Sequence, residues 1–179
     1  MSKNGYEKLI KKYEDYRRNL SDVLETRILE ETAVELQSKV KKRIFEDGLD
    51  ANGNLISQSY STKPMNVRKE VFIKPSAFSG KKTMKLNYGY KELRDIQGLP
   101  TSKVNLDYSG KLKRNIHIAR IQKSVVLGVN TTEDAEKVKH LEQKYNTKIF
   151  GFTQNEIKEH MDNVFNKIKE NQRTYFHGN

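Results

Sequence analysis

Residues 91–129 read KELRDIQGLPTSKVNLDYSGKLKRNIHIARIQKSVVLGV, and their punctuation decides the fold class. A short helical end gives way to a break at Gly98, Leu99 and Pro100. Val104, Asn105 and Leu106 follow, then Ser109-Gly110, Leu112 and Ile116, and a β-branched run over 121–129. Breaks and small turn residues at this density, interleaved with short apolar groups, predict antiparallel strands joined by a tight turn. In that reading Gly110 sits between two strands at positive φ, Gly98 marks the break, and Leu106, Leu112 and Ile116 are core.

Ahead of this stretch a helical pattern runs to about residue 45. Tyr6, Leu9, Tyr13, Tyr16, Leu20 and Val23 alternate spacings of three and four, the seam of a helix packed on one partner. Leu29, Ala33, Leu36, Val40 and Ile44 form a second stripe, which at about 100° per residue lies on the other side of an unbroken helix. Either the helix breaks near Asn19-Leu20-Ser21, with Asn19 or Ser21 as N-cap, or its halves pack on different partners. The Tyr-rich first seam suits a subunit interface, because each ring buries a large area and keeps a polar tip. Residues 1–20 are therefore set apart as an amphipathic appendage on a single domain over 21–172, with 173–179 as a loose tail. Gly48 is the expected helix stop, followed by an Asx-Gly turn at Asp50, Asn52 and Gly53. Residues 55–88 read as a loop-rich arm broken by Pro64 and Pro75, with Val71-Phe72-Ile73 as a strand candidate.

The C-terminal third is regular. Asn130 or Thr131 can cap a helix over 132–145, and Thr153 to Glu156 form a capping box. The helix that box starts is expected to bury Ile157, Met161, Val164, Phe165 and Ile168 across the central sheet.

Charge is unevenly distributed. Residues 1–59 hold 11 Lys+Arg against 11 Asp+Glu, residues 60–120 hold 14 against 4, and residues 121–179 hold 9 against 8. The excess in the middle third, 14 − 4 = +10, carries nearly all of the net charge of +11. A basic block of this kind is either a solvated lysine-rich surface or a field facing a polyanion such as DNA. Lys81, Lys82, Lys85, Lys111, Lys113, Arg114 and Arg120 are the candidate nucleic-acid-facing residues. Strand alternation would set Lys111 and Lys113, with Arg120, opposite Leu112 and Ile116. The charged share of 32% exceeds the usual value of about 25%, which points to long solvated helices and burial between subunits.

Several chemistries find no support. Without cysteine there is no disulfide, thiolate nucleophile or Cys-type zinc site. His117, His140, His160 and His177 show no metal-ligand spacing, so no metal or other cofactor is expected. A calcium loop with Gly53 at its sixth position would need acids where Gly48 and Ser59 stand. Neither a phosphate-binding glycine loop nor a nucleophile elbow is present, and the chain is read as non-enzymatic. With no apolar run of about 18 residues and no signal-peptide core, a soluble chain without a membrane partner is expected.

Three segments carry a resemblance: KKRIFEDGLDANGNLI at 41–56, GYKELRDIQGLPTSKVNLDYSGKLKRNI at 89–116, and KIFGFTQNEIKEHMDNVFNKI at 148–168. The middle one is the most specific, with Tyr90 and Arg94 ahead of Gly98, then Val104, Leu106, Ser109, Gly110 and Leu112. Together they resemble the phage virion morphogenesis family of Mu-type and P2-type tail-completion, neck and head-tail joining proteins. The resemblance implies an α+β fold: a long N-terminal helix, a small antiparallel sheet with an extended arm, and a C-terminal helix packed on the sheet. It also implies a structural subunit of a ring at the head-tail junction. Such a ring would have other neck, connector or tail proteins as partners and lie in the virion after synthesis in the host cytoplasm. Residues 1–20 and the arm over 61–85 fall outside the resemblance. The competing reading is a free basic nucleic-acid-binding protein, monomer or dimer.

Overall fold

The computed structural model describes residues 3–178 apart from Lys81 and Lys123. The fold is α+β, with a long N-terminal helix, two small antiparallel sheets and a C-terminal helix. Helix α1 (Lys3–Val23) runs through a π turn at Leu24–Ile28 into α2 (Leu29–Lys42), and a second π turn, Arg43–Asp47, ends at Gly48. Strands β1 (Met65–Arg68) and β2 (Thr83–Leu86) pair as one two-stranded sheet. After α3 (Gly89–Ile96) and the short α4 (Lys111–Asn115), β3 (Ile116–Ile121) and β4 (Ser124–Val129) form the other. Helices α5 (Thr132–Tyr145) and α6 (Gln154–His177) complete the chain.

No break occurs at Asn19 to Ser21, where α1 is continuous. The change of face falls instead at Leu24–Ile28, where the Leu29 amide reaches back to the Leu24 carbonyl. Such a turn takes up one extra residue, so it rotates the following apolar stripe without interrupting the helix. Neither expected alternative holds as stated. The helix does not break at 19–21, and both halves meet α6, Tyr16 of α1 through Tyr175 and Phe176 and α2 through Glu31, Glu35 and Lys39.

The chain divides into two compact units. The first comprises Met1–Lys39, Ile118–Gly128 and Gln154–Asn179. In it α2 and α6 run antiparallel, registered by Lys39 with Glu159 at 2.5 Å, Glu35 with Asn163 at 3.0 Å and Glu31 with Lys167 at 2.9 Å. Exposed pairs of this kind fix register more than they stabilise. The apolar seam beneath them is Ile28, Leu29 and Val164, flanked by Val23, Leu24 and Ile168. The expected buried face of α6 is corrected here. Glu156, His160 and Val164 are buried, whereas Ile157, Met161 and Phe165 are 42%, 48% and 54% exposed. The apolar stripe was read as the contact face, but the antiparallel register turns the adjacent face inward. Residues 173–177, expected as tail, extend α6, and Tyr175 and Phe176 stack on Tyr16 with ring centroids 5.1 and 5.5 Å away. Residues 1–20 thus belong to the same unit as α6.

The second unit comprises Val40–His117 and Val129–Thr153. Its best-defined feature is a buried arginine. Arg94 on α3 is fully buried, and its guanidinium donates to the carbonyls of Pro100 (2.9 Å) and Asp107 (2.8 Å) and to Asn105 Oδ1 (3.0 Å). It lies 4.3 Å from the centre of the Tyr60 ring, and the Tyr60 hydroxyl donates to Asn105 Oδ1 and accepts from the Asn105 amide, each at 3.0 Å. Tyr90 stacks on both Tyr60 and Tyr108. Burial pushes the Tyr90 phenol up to about 12, against the pull of the neighbouring Arg94 charge.

This network overturns the strands expected over 104–112. With the carbonyls of Pro100 and Asp107 taken by one guanidinium, the segment runs as an irregular loop that needs no ladder partner. Gly110 does take positive φ (71°), but at the N-cap of α4 and not between strands, and Lys111, Leu112, Lys113 and Arg114 are helical. Ile116 is buried as expected, while Leu112 and Leu106 are only half-buried, Leu106 with φ 54°. Gly98 ends α3 at φ 68°, its amide donating to the Asp95 carbonyl at 2.9 Å. Val71 to Ile73 form no strand either. The Gln97 side-chain oxygen accepts from the Ile73 and Lys74 amides, and the Tyr108 hydroxyl donates to the Val71 carbonyl, so side chains satisfy this backbone.

Three other local signals hold. Gly48 closes the helical run at φ 68°, Asp50 Oδ1 accepts from the amides of Asn52 and Asn54, and Thr131 caps α5 through the Asp134 amide. A second buried arginine, Arg43, donates to the carbonyls of Leu49 (3.0 Å) and Gly151 (2.5 Å), tying the helix end to the loop before α6.

Candidate nucleic-acid interface

The candidate cations do not form one group. Lys111 and Lys113 lie on α4, where Lys111 Nζ is 3.3 Å from Glu133 and Lys113 Nζ is 3.0 Å from Glu46. Glu133 also meets Lys137 at 2.7 Å, and these two hydrogen-bonded ammonium groups hold its carboxyl below the usual range. Arg114 turns back on the chain, with a guanidinium nitrogen 3.4 Å from the Ser109 carbonyl. Two of these three side chains therefore meet a carboxylate of their own unit. Beside them is a groove of about 530 Å³ lined by Leu106, Tyr108, Leu112, His140 and Leu141 and rimmed by the Lys111–Glu133–Lys137 cluster. Arg120 is exposed and belongs to the other unit. Lys81 lies outside the described residues.

Lys82 and Lys85 are different. Strands β1 and β2 pair with Met65 opposite Leu86, Asn66 opposite Lys85, Val67 opposite Met84 and Arg68 opposite Thr83. Val67 and Leu86 point into a cluster with Phe72 and Leu93, supported by Met65, Met84, Phe78 and Tyr90. By the two-residue period of a strand, Asn66, Arg68, Thr83 and Lys85 face out, and all four are exposed. Exposed Lys63, Lys69, Lys74 and Lys82 flank them. Over residues 55–88 there are seven Lys+Arg (63, 68, 69, 74, 81, 82, 85) against one acid, Glu70. The six that are described (63, 68, 69, 74, 82 and 85) have no carboxylate partner among the described residues.

The cations at 63, 68, 69 and 74 were missed by a reading centred on 81–120. A count over the arm alone would have found them, since that window holds seven cations against one acid. Arg94 shows the reverse error, being counted in the basic third although it is buried and engaged.

The interface candidates divide as well. Tyr6, Leu9 and Tyr13 are 61%, 48% and 55% exposed, with Ile10 beside them. With Phe176 and Gln172 they line a groove of about 490 Å³. Tyr16 is buried against Tyr175 and Phe176, and Leu20 and Val23 are half-buried, so the lower part of the seam is occupied by its own chain.

Among the described residues no three His, Asp or Glu side chains gather to hold a metal ion, and no helix is long and apolar enough to cross a membrane. No family model, curated protein or solved structure matches the chain.

Proposed function

We propose that the chain is a non-enzymatic structural subunit of a tailed-bacteriophage neck or tail end, forming a ring around the DNA passage between head and tail. What carries this reading is the resemblance of the 89–116 segment, whose Tyr90, Arg94 and Val104 are also the residues around which the second unit is built. Two surface features agree with it. Exposed apolar side chains on two faces of the first unit, Tyr6, Leu9, Ile10 and Tyr13 on α1 and Ile157, Met161 and Phe165 on α6, suit a heterologous contact between copies. Unlike patches that meet head to tail generate closed rings when the rotation closes. Unpaired cations on the β1–β2 arm suit sequence-indifferent contact with a passing genome. Other neck, connector or tail proteins are the expected partners, and the virion is the expected location.

The free nucleic-acid-binding protein is the second reading, favoured by the same unpaired cations. Particle mass separates the two. Light scattering on the purified protein is expected to give about six or about twelve copies, the closed cyclic assembly such a junction requires. A monomer or dimer at all concentrations, binding one DNA sequence tightly at physiological salt, would overturn the ring.

A further inference from the structure

We infer that the outer face of the β1–β2 ribbon is the surface that meets double-stranded DNA, and that it does so through phosphates, with Arg68 and Lys85 at its centre. This inference rests on the DNA-contact part of the proposed function and not on the ring.

The ribbon's two faces are sharply different. Val67 and Leu86 anchor one in a core cluster, so the other is held outward by the pleat and cannot rotate away without exposing that core. Arg68 pairs across with Thr83, which puts Arg68 and Lys85 diagonally opposite on the outer face, about 7 to 8 Å apart at Cα. Lys63, Lys69 and Lys82 flank the strand ends. Glu70 is the single acid within residues 55–88, and Glu92 beyond them is engaged with the Tyr88 amide at 2.7 Å, which leaves the arm's own charge strongly positive. Binding to duplex DNA is driven by release of condensed counterions, which a cation achieves only when it is free to replace them. The ribbon cations have no carboxylate partner among the described residues, whereas Lys111 and Lys113 are already opposite Glu133 and Glu46. The α4 lysines would have to break an existing pair to reach a phosphate. Asn66 and Thr83, the other two outward side chains, add neutral donors suited to phosphate oxygens.

The test compares two double variants of the full chain, Arg68→Gln with Lys85→Gln and Lys111→Gln with Lys113→Gln, by fluorescence anisotropy on a short labelled mixed-sequence duplex. Arg68, Lys85 and Lys111 are exposed and Lys113 is half-buried, and a melting curve for each variant checks that it is folded. Between about 50 and 200 mM salt the wild type is expected to lose affinity steeply, and loss of two phosphate contacts should make the log-log slope shallower by about 1.8. The ribbon variant is expected to show this change, and the α4 variant to stay within about half a unit of the wild-type slope. Equal loss in both variants, loss confined to the α4 variant, or no duplex binding by the wild type at low salt overturns the inference. Light scattering on the same samples keeps the two proposals apart. Ring mass with no ribbon effect overturns only this one, and a ribbon effect in a monomer overturns only the ring.

Discussion

The two compact units differ in how far their buried polar groups are met by partners. In the second unit, buried Arg94, Asn105 and Tyr60 are hydrogen-bonded to one another and to backbone between α3 and the loop before α4. Buried Gln97 is bonded to the Ile73 and Lys74 amides and to Tyr108. The exception among the described residues is Asp134 Oδ1, buried without a hydrogen bond although 3.7 Å from Lys137 Nζ. In the first unit, Tyr16 Oη and His160 Nδ1 are buried without a partner among the described residues, while large apolar side chains on α1 and α6 stay exposed. Unmet buried polar atoms are destabilising and exposed apolar stripes are unfinished burial, so the first unit is the less self-sufficient. The second is a scaffold specified by its own polar contacts. If the chain assembles, the first is where a neighbour has most to contribute.

Arg94→Lys is the strongest way to break this contrast. A lysine cannot fork to Pro100, Asp107 and Asn105 together or stack on Tyr60, so at least two acceptors lose their donor. The expected loss is about 2 to 4 kcal/mol by urea unfolding, a large share of a typical domain's stability. Hydrogen exchange should locate the loss in 89–108. A change below about 0.5 kcal/mol would mean that water replaces the guanidinium and that the network is not what specifies the unit.

How much of this was legible follows the range of each signal. Gly48, the Asx turn at Asp50, the Thr131 cap and the span of α5 were readable because each depends on residues within one turn of the chain. The strands expected over 104–112 are replaced by a loop held by a residue at position 94, which takes the Asp107 carbonyl and the Asn105 side chain, and nothing local announces that. Arg94 was visible as a motif position but not as a buried donor, since sequence shows a cation and not its neighbours. The same blindness merged Lys111 and Lys113, paired with Glu133 and Glu46, with the unpaired Lys82 and Lys85. On α6 the apolar stripe was read correctly as a stripe. Which face turned inward was set by its register with α2, which no single-helix period contains.

His160 gives a smaller, pH-dependent effect in the first unit. It lies among Thr32, Leu36, Lys39, Glu156 and Asn163, and burial lowers its pKa, against an opposing interaction with the Thr32 backbone and the charge of Glu35. A histidine whose folded pKa is depressed favours the neutral form in the fold. Its stabilisation is therefore full above the unfolded value of about 6.5 and is lost as pH falls through the folded value. Melting temperatures of wild type and His160→Gln, followed downward from pH 7.5, are expected to converge as the wild type loses this contribution. Parallel curves across the range would show that His160 titrates alike folded and unfolded.

The smallest effect is the sharpest test of the contrast, because one chemical change is expected to have opposite signs in the two units. Tyr60→Phe removes a hydroxyl that donates to Asn105 Oδ1 and accepts from the Asn105 amide. Both partners are left buried, and the variant should lose about 1 to 2 kcal/mol. Tyr16→Phe removes a hydroxyl with no partner among the described residues, whose pKa is raised chiefly by burial and further by Tyr13. The ring keeps its contacts with Tyr175 and Phe176. Only the desolvation of an unpaired polar group disappears, so this variant should be neutral or more stable by up to about 1 kcal/mol. Urea midpoints of both single variants and of the double variant measure this directly, and the two effects should add because the sites share no partner. A loss on Tyr16→Phe as large as on Tyr60→Phe would mean that the Tyr16 hydroxyl finds a hydrogen bond in solution, and the first unit would then be as well satisfied as the second.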